Sequence, residues 1–185
     1  MASTYSSLKF ELIGTGDQAG TWGATTNTNL GTAIEQAITG TVDVAFSSAN
    51  VTLTLTDTNA AQNARALRLN LTGTSGGART LTVPAIAKQY VVNNGLADQV
   101  TIQNSTGTGV VVPAGSSVIV FNNATNVVPV YSAIPVSSTV TFKLPTTDGT
   151  SGQFLSTNGT GTLSWASSSG ISTGKAIAMA MIFGF

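Results

Sequence analysis

The sequence predicts a mainly β protein: an antiparallel β-sandwich or jelly-roll-like core, one short N-terminal helix, an extended N-terminal arm and a C-terminal intertwined β-segment. Short apolar or alternating runs, separated by Gly- and Asn-rich turns, fill residues 41–134. A single apolar stripe with helical spacing precedes them, and a segment rich in Gly, Ser and Thr follows. We therefore divide the chain into residues 1–40, 41–134 and 135–185.

The first segment, residues 1–40, contains the predicted arm and the predicted helix. In the arm, residues 8–12 alternate apolar and charged side chains, which is typical of a short amphipathic strand. The helix is expected over 30–40, because its apolar residues recur at intervals of three and four. These are Leu30, Ala33, Ile34, Ala37 and Ile38. Asn29 and Thr32 are alternative N-caps of this helix.

The second segment, residues 41–134, is expected to fold as short antiparallel strands. Its apolar runs are 42–46, 51–55, 67–71, 80–83, 90–92, 100–102, 109–112, 117–121 and 127–131. Turn signals of Gly and Asn lie between these runs. Pro129 inside the last run indicates an edge strand or a bulge, since proline has no N–H to donate within a sheet.

The third segment, residues 135–185, is predicted to contain strands that other chains complete. After a strand at 139–144, the sequence DGTSGQFLSTNGTGTLSW is almost entirely small and polar, and Asn158-Gly159 in it predicts a hairpin turn. The ending GKAIAMAMIFGF alternates large and small side chains, which predicts a strand with one bulky face. Because an exposed strand of this kind promotes aggregation, we expect it to pack against either the chain's own core or another subunit, and the second alternative makes this segment an oligomerisation segment.

Composition argues against several classes of function. Charged residues make up 8% of the chain, seven Lys and Arg against seven Asp and Glu, and they form no basic cluster. We therefore expect no nucleic-acid binding, which requires cations to neutralise phosphates. No apolar stretch is long enough to cross a bilayer and no signal peptide is recognisable, so no membrane insertion is expected. The absence of Cys and His removes thiol chemistry and the commonest general base.

No motif in the sequence predicts catalysis, a cofactor or a metal site. Gly14, Gly16 and Gly20 superficially resemble a dinucleotide-binding loop, but their spacing is wrong and no helix is predicted to open there. The acidic residues are few. Asp57 and Asp98 lie in turn sequences, where aspartate usually accepts hydrogen bonds from nearby backbone. We therefore predict a protein that is not an enzyme and binds no cofactor.

Three stretches of the sequence resemble one family. They are LKFELIGTGDQAGTWGATTNTNLG near the N-terminus, DGTSGQFLSTNGTGTLSW, and the ending GKAIAMAMIFGF. Together they resemble tail-fibre-like virion proteins of tailed bacteriophages, notably marine and cyanobacterial ones. The resemblance implies an N-terminal region that attaches the subunit to the virion and β-regions that assemble as a homotrimer. The long shaft, the receptor-binding head and the chaperone domain of longer fibres have no counterpart in this sequence.

We therefore predict a virion structural protein, assembled in the host cytoplasm, that forms a short homotrimeric fibre or adaptor on the tail, neck or collar. Its expected partners are sister subunits and other virion proteins of the tail, neck or capsid. Two alternatives stay open: a capsid decoration or cement protein, and an adhesin module that binds a host-surface glycan. The residues expected at the subunit or virion interface are Trp22, Phe154, Trp165, Ile177, Met179, Met181, Phe183 and Phe185.

Overall fold

The computed structural model describes residues 1–131, 133–135, 141–168, 177 and 181–182, with the backbone alone for 133–135 and 141–143. The described chain is mainly β, and this part of the predicted fold is confirmed. It divides into two compact units, Met1–Val130 and Tyr131–Phe185. The first unit therefore unites the predicted arm and helix with nearly all of the predicted β domain.

The N-terminal arm folds back on its own domain. Its strands β1 (Thr4–Tyr5) and β2 (Glu11–Leu12) pair antiparallel around a turn in which the Ser6 amide donates to the Phe10 carbonyl at 2.9 Å. Arg65 is completely buried and fixes this turn to the loop at residues 58–60, because its guanidinium donates to backbone carbonyls of both. The acceptors are Leu8, Lys9, Thr58, Asn59 and Ala60, at 2.7–3.2 Å. The arm is therefore held in place by its own chain.

A continuous helical segment links the arm to the sheets. It consists of α1 (Trp22–Thr28), a π-helical stretch (Asn29–Ile34) and α2 (Glu35–Thr39). The helix therefore begins well before the predicted start at residue 30. The sequence of α1 did not reveal it, because its Gly, Thr and Asn residues have weak helix propensity and carry no apolar stripe.

The π-helical stretch displaces the predicted apolar stripe. Ala33 is fully buried, but Leu30 and Ile38 are 56% and 62% exposed. Because a π-helical turn contains more residues than an α-helical turn, positions four residues apart no longer share one face. Leu30 and Ile38 therefore do not share the buried face on which Ala33 lies. Gly40 ends the helix in an extended conformation, and a Cβ there would lie 2.5 Å from the Gln36 carbonyl oxygen.

Nine strands form the two sheets of the first unit. They are β3 (Thr41–Ser47), β4 (Val51–Thr52), β5 (Arg68–Thr74), β6 (Arg79–Val83), β7 (Ala87–Asn94), β8 (Val100–Asn104), β9 (Val110–Val112), β10 (Ser117–Asn123) and β11 (Val127–Pro129). One sheet has the order β11-β10-β7-β5-β3, and the other has the order β4-β6-β8-β9. Pro129 lies on an edge strand, as predicted.

Pairing within these sheets is mostly parallel, which corrects the predicted antiparallel arrangement. β3 pairs with β5, β5 with β7, β4 with β6, and β6 with β8, all in parallel. From β3 to β7, each strand is followed along the chain by a strand of the other sheet, so successive strands of one sheet run in the same direction. From β3 to β8 the chain therefore winds as a short β-solenoid. The later strands β9, β10 and β11 pair antiparallel to their neighbours.

The apolar core lies between the two sheets. Leu69 and Val92 of the five-stranded sheet and Leu81, Val100 and Ile102 of the four-stranded sheet have no exposed surface and belong to one cluster. Two facing sheets over a common core are the sandwich-like arrangement that the sequence predicted. The strand alternation thus identified the inward side chains correctly, although the direction of the strands was wrong.

The second unit contains two antiparallel strand pairs. β12 (Ala133–Pro135) pairs with β13 (Thr141–Lys143), and β14 (Gln153–Thr157) pairs with β15 (Leu163–Ser167). β13 falls inside the strand predicted at 139–144. β14 and β15 both lie in the DGTSGQFLSTNGTGTLSW motif or directly after it.

Candidate interaction surfaces

Trp22, a predicted interface residue, stands at the start of α1 and is 62% exposed. Its backbone N–H donates to the Gln18 carbonyl at 3.0 Å, so the preceding turn positions the first residue of the helix. Leu30 and Ile38 are the other large apolar side chains that this helical segment exposes. The segment therefore places an indole and two branched aliphatic side chains in solvent.

Local hydrogen bonds build a self-contained hairpin from β14 and β15. The Asn158 carboxamide oxygen accepts hydrogen bonds from the backbone N–H groups of Thr160 and Thr162, at 2.9 and 3.1 Å. Gly159 and Gly161 have φ angles of 81° and 89°, which glycine adopts without strain. The hairpin turn predicted at Asn158-Gly159 is confirmed.

Trp165 fixes the segment before β14 to this hairpin. Its indole Nε1 donates to the Thr147 carbonyl at 2.9 Å. Gly149 lies against the ring, and a Cβ at this position would be 2.6 Å from the ring carbon Cδ2. The glycine and the tryptophan at the two ends of the motif therefore belong to one packing contact.

Large side chains of the hairpin stay exposed on both of its faces. Phe154 is 50% exposed, Leu155 43% and Trp165 36%. Leu155 and Trp165 are direct cross-strand partners, whereas Phe154 points to the opposite face because successive strand residues alternate. A two-stranded hairpin has no second layer to cover either face. The predicted interface residues Phe154 and Trp165 thus leave apolar surface in solvent on opposite sides.

The C-terminal residues that the structure describes do not form the predicted strand. Ile177, Met181 and Ile182 have helical backbone, and their side chains are 55%, 82% and 75% exposed. Alanine and methionine fill this stretch and have high helix propensity, which outweighs the alternation of large and small side chains. Met179, Phe183 and Phe185, which were also predicted at an interface, lie outside the described residues.

A ladder of polar side chains crosses the outer sheet face, which is the side of the five-stranded sheet that points away from the core. Asn70 Nδ2 donates to Asp43 Oδ1 at 2.8 Å, and Asn93 Nδ2 donates to Asn70 Oδ1 at 2.5 Å. Ser117 Oγ donates to Asn93 Oδ1 at 2.9 Å. These residues stand directly opposite one another on β3, β5, β7 and β10. The polar ladder therefore spans four strands and ends at a carboxylate.

An outer apolar cluster of Val91, Ile119, Phe121, Val128 and Val130 lies beside the polar ladder. Phe121 and Val128 are cross-strand partners and are 39% and 37% exposed. Ile119 and Val91 are partners in the next row, and the Val130 backbone N–H donates to the Ile119 carbonyl at 3.1 Å. The sequence does not reveal this cluster, since alternation shows which side chains face outwards but not which strands are neighbours.

The acidic side chains with the clearest hydrogen bonds support local structure. Asp17 accepts from the Ser3 hydroxyl and backbone N–H at 2.7 and 2.8 Å, and these bonds lower the pKa of Asp17. Asp98 accepts from the Ser75 hydroxyl at 2.7 Å and the Gly77 amide at 2.8 Å, which lowers the pKa of Asp98. Within the described ranges, no group of three or more acidic side chains is close enough to hold a metal ion.

Comparisons of the chain with known protein families, curated proteins and solved structures find no match. In the part of the chain that the structure describes, no helix is long and apolar enough to cross a bilayer. The function must therefore be argued from the surfaces of the chain itself.

Proposed function

We propose that the chain is a non-enzymatic structural protein of a bacteriophage virion, which assembles into a short homotrimeric fibre or adaptor on the tail, neck or collar. The exposed apolar surface of the β14–β15 hairpin carries the proposal. Phe154, Leu155 and Trp165 belong to a strand pair that is too thin to bury them. Sister subunits supply the missing layer.

The energetics favour such an assembly. Burial of a half-exposed Phe, Leu or Trp contributes about 1 kcal/mol or more, and a trimer repeats each contribution at every subunit. The hairpin is already ordered by the Asn158 hydrogen bonds and by the packing of Trp165 on Gly149. Association therefore loses little conformational entropy, because the surface is formed before the subunits meet.

Two further features support the virion role. The hairpin coincides with the DGT…W motif through which the sequence resembles tail-fibre-like virion proteins. Trp22 lies far from this motif in sequence, on a separate compact unit, and is 62% exposed. We assign the helical segment with Trp22, Leu30 and Ile38 to attachment on a neighbouring virion protein, and the hairpin to contact between subunits.

The molar mass of the full chain in solution, measured by sedimentation velocity, tests the assembly. We expect a trimer for the wild type and a smaller species when Phe154→Thr and Leu155→Thr are combined, since threonine keeps the strand but removes the apolar surface. Leu12→Thr is the matched control, because Leu12 is 53% exposed in the arm and should leave the mass unchanged.

Two results would contradict the proposal. A wild-type chain that stays monomeric at micromolar concentration would contradict the proposed self-assembly. Mass spectrometry that detects no copy of the chain in purified virions would contradict the proposed role in the virion. An unchanged mass of the Phe154 and Leu155 variant would instead exclude the hairpin as the site of contact.

A further inference from the structure

We infer that the outer sheet face of the first unit is a second self-association surface, on which this face packs against the same face of another copy. The inference rests on the self-assembly proposed above: the hairpins join three chains, and at higher concentration the outer sheet faces join one trimer to another. It adds the location of a contact and the pairing of two charged side chains across it.

The outer sheet face has the composition of a protein interface. Its apolar part is the outer apolar cluster, in which Phe121, Val128 and Val130 are each more than a third exposed. Its polar part is the ladder from Ser117 to Asp43, which lies alongside. A specific contact between proteins usually combines apolar side chains with hydrogen-bonded polar groups in one patch.

The charges on this face complement those of a second copy. The outward positions of the five strands are all described, and Asp43 and Arg68 are the charged residues among them. Arg68 is opposite Thr41 and Asp43 is opposite Asn70, so the two charged residues are diagonal neighbours on adjacent strands. They form no salt bridge with each other, because the one salt bridge among the described residues joins Lys9 and Asp57. One cation and one anion of a single face can each pair with the opposite charge of an identical face.

The polar ladder prepares Asp43 for this pairing. Each amide in the row donates towards the carboxylate: Asn93 to Asn70, and Asn70 to Asp43 Oδ1. Consecutive hydrogen bonds polarise one another, and they hold the side chains in one conformation. Among the described residues, none donates a hydrogen bond to Asp43 Oδ2, and a guanidinium of the second copy pairs with this oxygen. A pre-ordered carboxylate loses less side-chain entropy when the partner binds.

A second copy fits this face better than a glycan does. Sugar rings stack on exposed aromatic side chains, and Phe121 is the one aromatic residue among the outward positions of the five strands. The remaining apolar residues are branched aliphatic side chains, which suit packing against a similar surface. The face carries one anion, Asp43, and one cation, Arg68, so two identical faces can form two opposite-charge pairs. Binding of a neutral glycan would not require these charges.

Variants of the full chain in which these two charges are exchanged test the inference, with association measured by sedimentation velocity. Asp43→Arg and Arg68→Asp each place like charges opposite one another, so each variant should associate at least about ten-fold more weakly than the wild type. The double variant regains opposite charges and should associate within about three-fold of the wild type. An equimolar mixture of the two single variants should associate as well, since each chain then carries the charges that the other requires.

The mixture separates contact between chains from effects within one chain, because only a contact between chains is restored by mixing. Gln99→Arg, at an exposed loop position outside the face, is the control for an added cation and should associate as the wild type does. Thermal unfolding of every variant checks that the fold is intact.

The inference would be overturned if both single variants associated as strongly as the wild type. It would also be overturned if the Asp43→Arg/Arg68→Asp double variant, or the mixture of the two single variants, failed to regain association. These results differ from failure of the proposed function, in which the wild type itself is monomeric. Retention of the wild type on a host polysaccharide, lost in Arg68→Asp, would make the face a glycan site and would also overturn the inference.

Discussion

At the scale of single residues, Arg65 determines the position of the N-terminal arm. Its buried guanidinium donates to carbonyls of the arm turn and of the loop at residues 58–60 at once, and its partners among the described residues include no carboxylate. Arg65→Met should lower the free energy of unfolding by about 3–5 kcal/mol, because five backbone carbonyls lose their charged donor. Arg65→Lys should not restore it, since an ammonium lacks the planar fork. Urea unfolding measures the loss, and faster tryptic cleavage after Lys9 reports release of the arm.

The exposed ion pair at the same turn provides the control. Lys9 and Asp57 are 2.7 Å apart, and 66% of the Asp57 side chain is exposed. Asp57→Asn should therefore cost no more than about 1 kcal/mol. An Arg65→Met variant that is as stable as Asp57→Asn would show that the arm does not depend on the guanidinium. The sequence could not foresee this role, because Arg65 and the exposed Arg68 differ only in their surroundings.

Lys88 is expected to make stability depend on pH. It is 8% exposed with its Nζ 4.9 Å above the Tyr90 ring, and burial lowers the pKa of Lys88 to about 8. Between pH 8 and the ordinary lysine value of 10.5 the unfolded chain binds more protons than the folded chain, so stability should rise with pH. Burial raises the pKa of Tyr90 above its ordinary value of 10.0, so the tyrosine opposes this rise only above about pH 10.

Lys88→Met keeps the shape of the side chain without the charge. This variant should be more stable than the wild type at pH 7 by about 1–3 kcal/mol, because no buried ammonium has to be desolvated. Its stability should also be flat between pH 8 and 10. Urea unfolding at several pH values checks both points, and a variant that keeps the wild-type slope would assign the slope to another group.

At the scale of secondary-structure elements, the β14–β15 hairpin depends on the contact between Gly149 and Trp165. Gly149→Ala would place a methyl group 2.6 Å from the Trp165 ring, so the ring must move and its hydrogen bond to Thr147 should break. In a Trp22→Phe background, we expect the Trp165 fluorescence to shift to the red as the indole becomes hydrated.

Gly23→Ala is the matched glycine control. A Cβ at Gly23 would meet no atom within 4 Å, and this glycine lies inside α1. The substitution should therefore leave the Trp165 fluorescence unchanged and stabilise the helix by about 0.5–1 kcal/mol. Equal fluorescence of the Gly149→Ala variant and the wild type would mean that the indole tolerates the added methyl group.

Strands were predictable from the sequence, whereas their partners were not. The predicted run 117–121 corresponds to β10, Ser117–Asn123, and the run 100–102 to β8, Val100–Asn104. Alternation of apolar residues reports which side of a strand is buried, and an antiparallel sandwich and a parallel solenoid bury one side alike. The direction of each strand depends on whether the chain crosses to the other sheet, and turn residues do not encode that choice. The outer apolar cluster and the polar ladder were missed for this reason.

The exposure of large apolar side chains was predictable where they stand isolated among small polar residues, whereas their place at an interface stays a prediction. Trp22, Phe154 and Trp165 are exposed apolar side chains of this kind. In the C-terminal stretch, Ile177 and Met181 are exposed on helical backbone rather than on a strand. At these residues the alternation of side-chain size competed with helix propensity, and the propensity prevailed.

At the scale of the whole molecule, residues 1–130 should fold without residues 131–185. Every member of the apolar core cluster lies between Val42 and Val127, and the five-stranded and four-stranded sheets are both complete before residue 131. The fragment 1–130 should therefore show one cooperative thermal transition and a β-type circular dichroism spectrum. A fragment without such a transition would mean that the second unit contributes to the stability of the first.

The same fragment separates the two assembly surfaces. It lacks the β14–β15 hairpin, so it should lose the part of the assembly that depends on Phe154 and Leu155. It keeps the outer sheet face, so it should still associate at high concentration, and Arg68→Asp should abolish that residual association. Sedimentation velocity over a concentration series measures both effects. A fragment that is monomeric at every concentration would place all of the contact between subunits in residues 131–185, whereas a fragment that assembles as the full chain does would place it entirely in the first unit.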